Sequence, residues 1–167
     1  MEDVPAIVRY VRENVDYLAP TSPARPPEFL TEAFWEGRVG GSLEDFKQER
    51  SFRLFLFPAD GGSALLGSVQ FNQLMRGPSQ SCWVGYNLAE RLQGQGLMHE
   101  ALDASIAWMF GPMHFHRIQA GYMPENVRSG RVLEKLGFVI EALARKYLLI
   151  NGEWRDLVLT SLVNDAW

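Results

Sequence analysis

The stretch "RLQGQGLMHEAL", residues 91–102, decides how the rest of the chain is read. It places Gly94 and Gly96 directly ahead of an apolar, helix-forming run. Glycine is among the least helix-favouring residues, so its use here asks for a reason. One reason is an anion site. Glycines let the backbone approach a ligand, and the first free N–H groups of a helix point at negative charge. The other is a plain strand-to-helix turn. The segment alone leaves both open.

Its neighbours narrow the choice. Upstream, "SFRLFLF" (51–57) alternates around Phe52, Leu54 and Leu56, turns at "PADGG" and resumes as "ALLGSVQFNQL". A further strand, "SCWVGYNL" (81–88), ends just before the glycines, which places them between a strand and a helix. That helix is expected from about Gly96 to Phe110, burying Leu97, Ala101, Ala104 and Trp108 with Leu102 and Met109 beside them, and stopping at Gly111-Pro112. "HRIQAGYM" reads as a strand, "PEN" as a loop and "VRSGRVLEKLG" as a short helix. "ARKYLLI" and "EWRDLVLTSL" flank Asn151-Gly152, a strong two-residue hairpin signal.

The chain opens differently. Residues 4–18 set Ile7, Val8, Val11, Val15 and Leu18 at helical spacing. The four prolines of "APTSPARPP" end that helix, and a second is expected from about Glu28 to Arg50, interrupted at Gly40-Gly41. The pattern predicts one α/β (α+β) domain over residues 1–167, with helices first and then a mostly antiparallel sheet of about six strands.

Composition bounds the function. At 167 residues the chain fits one domain, and 47% hydrophobic with 22% charged residues is ordinary for a folded protein. A net charge of −4 argues against a broad nucleic-acid-binding face. One cysteine, Cys82, excludes an internal disulfide and suits a reducing compartment. Residues 1–20 carry charges throughout, so neither signal peptide nor membrane span is expected and the default setting is the cytoplasm.

Two phosphate-binding patterns fit poorly. A dinucleotide fingerprint needs a third glycine where His99 stands, and a P-loop needs Gly-Lys followed by Ser or Thr. A third pattern covers more of the chain. "LQGQGLM", followed about thirty residues later by "PENVRSGRVLEKLGF", resembles the GNAT superfamily of acetyl-CoA-dependent N-acetyltransferases. With "GLMHEAL" and "YLLINGEWRDLVLTSL", the likeness is to the RimJ/RimL branch, nearest the RimJ-type ribosomal-protein-alanine N-acetyltransferases. It runs from about Ser51 to the C-terminus and is weaker in the first helices. The family opens with a β-strand, whereas this chain begins almost directly in a helix, so the usual first strand is expected to be missing.

The resemblance implies acetyl-CoA as cosubstrate and assigns residues. Gln93, Gly94, Gln95, Gly96, Leu97 and Met98 would present amides to the CoA pyrophosphate, helped by the helix dipole. Met98 stands where the signature usually has Gly or Ala, which implies altered packing but not a lost amide. Tyr86, Asn87 and Leu88 end the strand that pairs with the pantetheine arm, with the Leu88 amide as donor to the thioester oxygen. Asn126 would contact the cofactor arm, although it equally suits a helix N-cap. Many family members carry a tyrosine seven residues after that asparagine as general acid, but here the position is Leu133. Ser129, one helical turn from Asn126, is the nearest replacement, with an ordinary exposed helix serine as the alternative. Arg131, like Arg128, would meet the 3′-phosphate or simply form a solvated helix face.

The remaining candidates are weaker. His114 and His116 are expected on one side of a strand and Cys82 on another, with no fourth ligand in view, so no metal site is expected. Glu141, Glu153 and Asp156 lie in or near the last hairpin, and none is named as base. An α-amine is roughly a tenth neutral at pH 7, a lysine amine below a thousandth, so an α-amine needs the least help. The expected reaction is direct amine attack on the thioester at a protein N-terminus, ribosomal by resemblance. Transfer to a polyamine or aminoglycoside, or a non-catalytic binder on the same fold, are the rivals. The apolar "SFRLFLF" edge is also expected to support a homodimer.

Overall fold

The structure is a computed structural model and describes residues 2–167. Helix α1 spans Val4–Leu18 and α2 spans Glu32–Lys47. Strands β1 (Phe52–Leu56), β2 (Gly67–Met75) and β3 (Ser81–Leu88) follow, then α3 (Leu97–Phe110), β4 (Arg117–Tyr122), α4 (Val127–Lys135), β5 (Val139–Ile150) and β6 (Glu153–Val163). The six strands form one sheet in the order β1-β2-β3-β4-β6-β5. Among the described residues only the β3–β4 pair is parallel. Among the described residues no strand precedes α1.

The period-2 alternation of the strands sorts the two faces. Leu54 and Leu56 of β1, Val69 and Phe71 of β2, and Cys82, Val84 and Leu88 of β3 face α3 and α4, where they pack on Leu102, Met109 and Leu133. Phe55 and Phe57 pack with α1 and α2. The buried face of α1 carries Ile7, Val8, Val11 and Leu18 as its periodicity predicts, with Val4 added, while Val15 is only half-buried and Asn14 is buried instead. Asn14 keeps its polar groups satisfied. It donates to the Tyr10 carbonyl at 2.9 Å and accepts the Glu90 N–H at 2.9 Å, tying α1 to the segment after β3.

Two helical expectations need correction. The second helix begins at Glu32, capped by Thr31, whose hydroxyl accepts from the Phe34 N–H, and runs through Gly40 and Gly41 without interruption. Each glycine costs a helix about 1 kcal/mol relative to alanine, but both ends of α2 are anchored. Trp35 donates to the Phe29 carbonyl, and Phe46 packs against Phe52 and Trp108. In α3 the buried residues are Met98, Leu102, Ser105, Ile106 and Met109, whereas Leu97, Ala101 and Trp108 are half-buried and Ala104 is exposed. Apolar residues surround that helix, so its periodicity has little contrast.

The hairpin is as its sequence predicts. Asn151 and Gly152 both have positive φ, 46° and 83°, as the turn requires, and β5 and β6 run antiparallel from it. A close approach fixes the other end of the site. A Cβ on Gly67 would lie 2.3 Å from the Asn87 carbonyl oxygen, so only glycine lets β2 cross the end of β3 there.

Candidate active site

The sheet has a seam. β3 and β4 pair only through Ser81–Trp83 and Arg117–Gln119, and no ladder joins them beyond Trp83. The Ala89 N–H donates to the Leu66 carbonyl, toward β2. Strand alternation therefore turns the backbone of Asn87 and Gly85 toward β2, and that of Val84, Tyr86 and Leu88 toward the seam. Parallel neighbours that separate in this way leave an unpaired strand edge for an extended group to lie on.

The glycine segment closes one end of that seam. Gly94 and Gly96 have φ of 75° and 81°, in the left-handed region, and a Cβ at either position would meet nothing within 4 Å. Gly96 is the N-cap of α3, and the first bond inside the helix is Glu100 N–H to the Gly96 carbonyl at 3.1 Å. Among the described residues, the backbone amides of Gly94, Gln95, Gly96, Leu97, Met98 and His99 donate to no protein acceptor. Consecutive free amides at a helix N-terminus form a nest for an anion.

The row starts at Gly94, one residue after the Gln93 start expected from the sequence. The Gln93 amide is spent on the Glu90 carbonyl at 3.2 Å, and the Gln93 side chain instead donates to the Leu88 carbonyl at 3.1 Å. Gln93 is thus a clamp between loop and strand. His99 joins the row because the first three residues of any helix lack an acceptor, a signal the position of Gly96 already carried. Met98 sends its side chain into the core while its amide stays free.

Across the seam lies α4. Asn126 caps it by accepting the Ser129 N–H at 3.3 Å. The Ser129 hydroxyl lies 2.8 Å from the Tyr86 hydroxyl, which is also 3.2 Å from the Ser129 carbonyl. Burial pushes the Tyr86 phenol up to about 12, against a smaller opposing effect of the Ser129 hydrogen bond. Tyr86 therefore stays protonated at neutral pH and can donate to Ser129. Spacing alone could not reveal this pair, because its members are separated by 43 positions. A Cβ on Gly130 would come 2.8 Å from the Tyr122 ring, so glycine lets α4 settle against β4. Arg131 and Arg128 are exposed on α4, and Arg128 reaches the Tyr17 hydroxyl at 3.5 Å.

Asn87 turns the other way. Its side chain accepts from Tyr10 at 2.6 Å and donates to Ser68 at 2.9 Å, on the face that carries α1. Burial raises the Tyr10 phenol above its ordinary value, so this donor also keeps its proton. The alternation thus assigns Tyr86 and Leu88 to the seam and Asn87 to the opposite face.

Other candidates lie apart. His114 occupies a turn with φ 51°, ahead of β4, so it and His116 are not on a strand as expected. No group of three or more His, Cys, Asp or Glu side chains converges among the described residues. Cys82 is fully buried and burial pushes its thiol up to about 12, which rules out a ready nucleophile. Glu141 is bonded by Arg117, and next by Ser161, which hold it below the usual carboxylate range. Glu153 pairs with Arg155 at 2.9 Å, and Asp156 accepts the Lys146 N–H at 2.8 Å. All three carboxylates are engaged within or beside the hairpin. Among the described residues no helix is long and apolar enough to cross a membrane.

Comparison with known proteins agrees with this geometry. A family model described as an acetyltransferase (GNAT) domain matches residues 1–139. The [ribosomal protein uS5]-alanine N-acetyltransferase of Escherichia coli (strain K12) is 42% identical over 158 residues, covering 95% of this chain and 81% of that protein. The crystal structure of the ribosomal-protein-S5-alanine acetyltransferase from Vibrio fischeri superposes with a TM-score of 0.95 at 38% identity, over 99% of this chain and 90% of that one. Mycobacterium smegmatis RimJ, solved in complex with CoA-disulfide, gives a TM-score of 0.92 at 26% identity, over 99% of this chain and 79% of that one.

Proposed function

The chain belongs to the acetyltransferase (GNAT) family, and from that premise we propose that it acetylates the N-terminal α-amine of a protein, with a ribosomal protein as acceptor. The observation that carries the reading is the row of free amides from Gly94 to His99 beside the unpaired end of β3. It supports binding of a substrate with a diphosphate at one end and an extended amide arm behind it, which is the shape of acetyl-CoA. Acetyl-CoA supplies the thioester whose C–S bond breaks.

The chain's residues then have definite tasks. The amides of Gly94–Met98 and His99 hold the pyrophosphate, with the α3 dipole behind them. The seam-facing backbone of Tyr86 takes the arm, and the Leu88 N–H meets the thioester oxygen as it gains charge. Asn126 contacts the arm while capping α4, and the exposed Arg131 approaches the 3′-phosphate. The neutral amine nitrogen bonds to the carbonyl carbon as sulfur departs. Ser129, oriented by Tyr86, donates to that sulfur. The amine gives up one proton to water, the departing sulfur takes one back from water, and because the amine nitrogen itself bonds to the carbonyl carbon no acyl-enzyme forms. The buried, high-pKa Cys82 supports this direct route, and a single free cysteine accords with a cytoplasmic setting.

An acceptor panel tests the reading. CoA thiol release should be rapid with an alanine-start peptide, slow with spermidine or an aminoglycoside, and negligible without acceptor. Release only with the small amines would replace the α-amine assignment, and no release with any of them would leave a binder. We also propose that two chains associate along β1, an outer strand of the sheet whose Phe52 packs against Phe46 and Trp108. Sedimentation should show dimer growing with concentration. A monomer throughout would contradict it.

A further inference from the structure

On the α1 face of the sheet, opposite the amide row, a cavity of about 560 Å³ runs from the end of β3 to the proline-rich loop after α1. Its charged lining is one-sided. Arg25, Arg38 and Arg53 contribute to it, and no Asp or Glu does, in a chain whose net charge is −4. Among the described residues none of these arginines lies within 4.0 Å of a carboxylate, although four other arginines do. Their neutral contacts leave capacity unused. Arg53 donates to Gln70 at 2.6 Å and Arg25 to Ser22 at 3.0 Å, yet Arg53 Nε and Arg25 Nη1 are buried without a partner. Burial, and then the nearby Arg38 charge, lower Arg53 to about 10, so it remains a cation that lacks a counter-charge. Phe29, Phe34, Trp35 and Phe55 line the rest and keep the local dielectric low, which strengthens any anion contact.

The cavity also reaches the chemistry. Ser68 and Asn87 form part of its wall, and Asn87 precedes Leu88, whose amide faces the seam. The sheet register gives a length. Arg53 pairs with Gln70, and Ser68 with Asn87, so Arg53 lies two strands across and two residues along from Asn87. At about 4.8 Å per strand and 3.3 Å per residue, the Cα separation is roughly 12 Å. An extended peptide covers that in three to four residues.

We propose that the three arginines read a carboxylate on the acceptor, an acidic side chain within about the first four residues behind the amine. The proposal rests on the α-amine reading above and names its substrate class. Arginine forks bind carboxylates bidentately, which suits orientation of a flexible peptide end. The same pocket disfavours a polyamine, whose charges would meet three unneutralised cations.

The test walks a single Glu through positions 2 to 4 of an amide-capped alanine-start peptide, each paired with its Gln isostere. The wild-type chain should show kcat/KM at least about tenfold higher for one Glu peptide than for its Gln partner, carried mainly by KM. Arg38→Gln, at an exposed position that spares the core, should bring that ratio toward one, and Arg53→Gln should do so more completely. Equal kcat/KM within every pair, or a preference that survives both substitutions, would overturn this inference while leaving the α-amine reading standing. Failure to acetylate any peptide would sink both. Excess succinate or inorganic phosphate separates peptide from free-anion recognition: competition should raise the KM of the Glu peptide only, and an equal effect on the Gln peptide would contradict a carboxylate-specific pocket.

Discussion

Gly96→Asp is expected to abolish CoA binding in a chain that still folds. The substitution is mild for the fold. A Cβ there meets nothing within 4 Å, and the left-handed φ of 81° costs an aspartate, one of the few side chains that visit that region, about 1–2 kcal/mol. It is severe for the ligand. The new carboxylate would stand in the open space beside the amide row and repel the incoming diphosphate. Like charges about 4 Å apart at an effective dielectric near 20 cost about 4 kcal/mol, and half of that is already roughly 30-fold in affinity. With lost amide contacts added, calorimetry should show Kd raised at least about 100-fold. Unchanged CoA affinity in a variant with native circular dichroism would refute the assignment of the amide row.

Ser129→Ala carries the second large effect, on rate and not on binding. Its hydroxyl is held 2.8 Å from the Tyr86 hydroxyl, and with Tyr86 as donor in that pair the serine proton is free to meet a departing sulfur. That hydrogen bond strengthens as negative charge grows, so its loss belongs to the transition state. A drop in kcat of about 10- to 100-fold is expected, with the KM for acetyl-CoA changed much less. Tyr86→Phe should give a smaller drop in the same direction, since the serine remains but loses its partner. With CoA thiolate a fair leaving group, at a thiol pKa near 8.5, abolition is not expected. An unchanged kcat in Ser129→Ala would reduce the residue to a packed helix serine.

Much of this was legible in the chain itself. The strand–glycine–helix order around Gly94 and Gly96 located the amide row because turn chemistry is local, and Asn151-Gly152 fixed the last hairpin for the same reason. What stayed hidden depends on contacts far apart in sequence. The Tyr86–Ser129 pair spans 43 positions, and Tyr10 meets Asn87 across 77. The buried face of α3 was misplaced because both its flanks are apolar, and α2 passes through Gly40-Gly41 because Trp35 and Phe46 pin its ends. The arginine cavity joins residues from the loop after α1, from α2 and from β1, three places whose convergence no spacing encodes.

The central claim, transfer from acetyl-CoA to an α-amine by direct attack, is tested most directly by locating the acetyl group. An alanine-start peptide with one internal lysine is incubated with the chain and acetyl-CoA, and the product is fragmented in a mass spectrometer. The account predicts one acetyl group, on the N-terminal nitrogen, with the lysine unmodified and no acetylated Cys82 on the enzyme. Acetylation of the lysine instead, or of Cys82 ahead of the peptide, would contradict it.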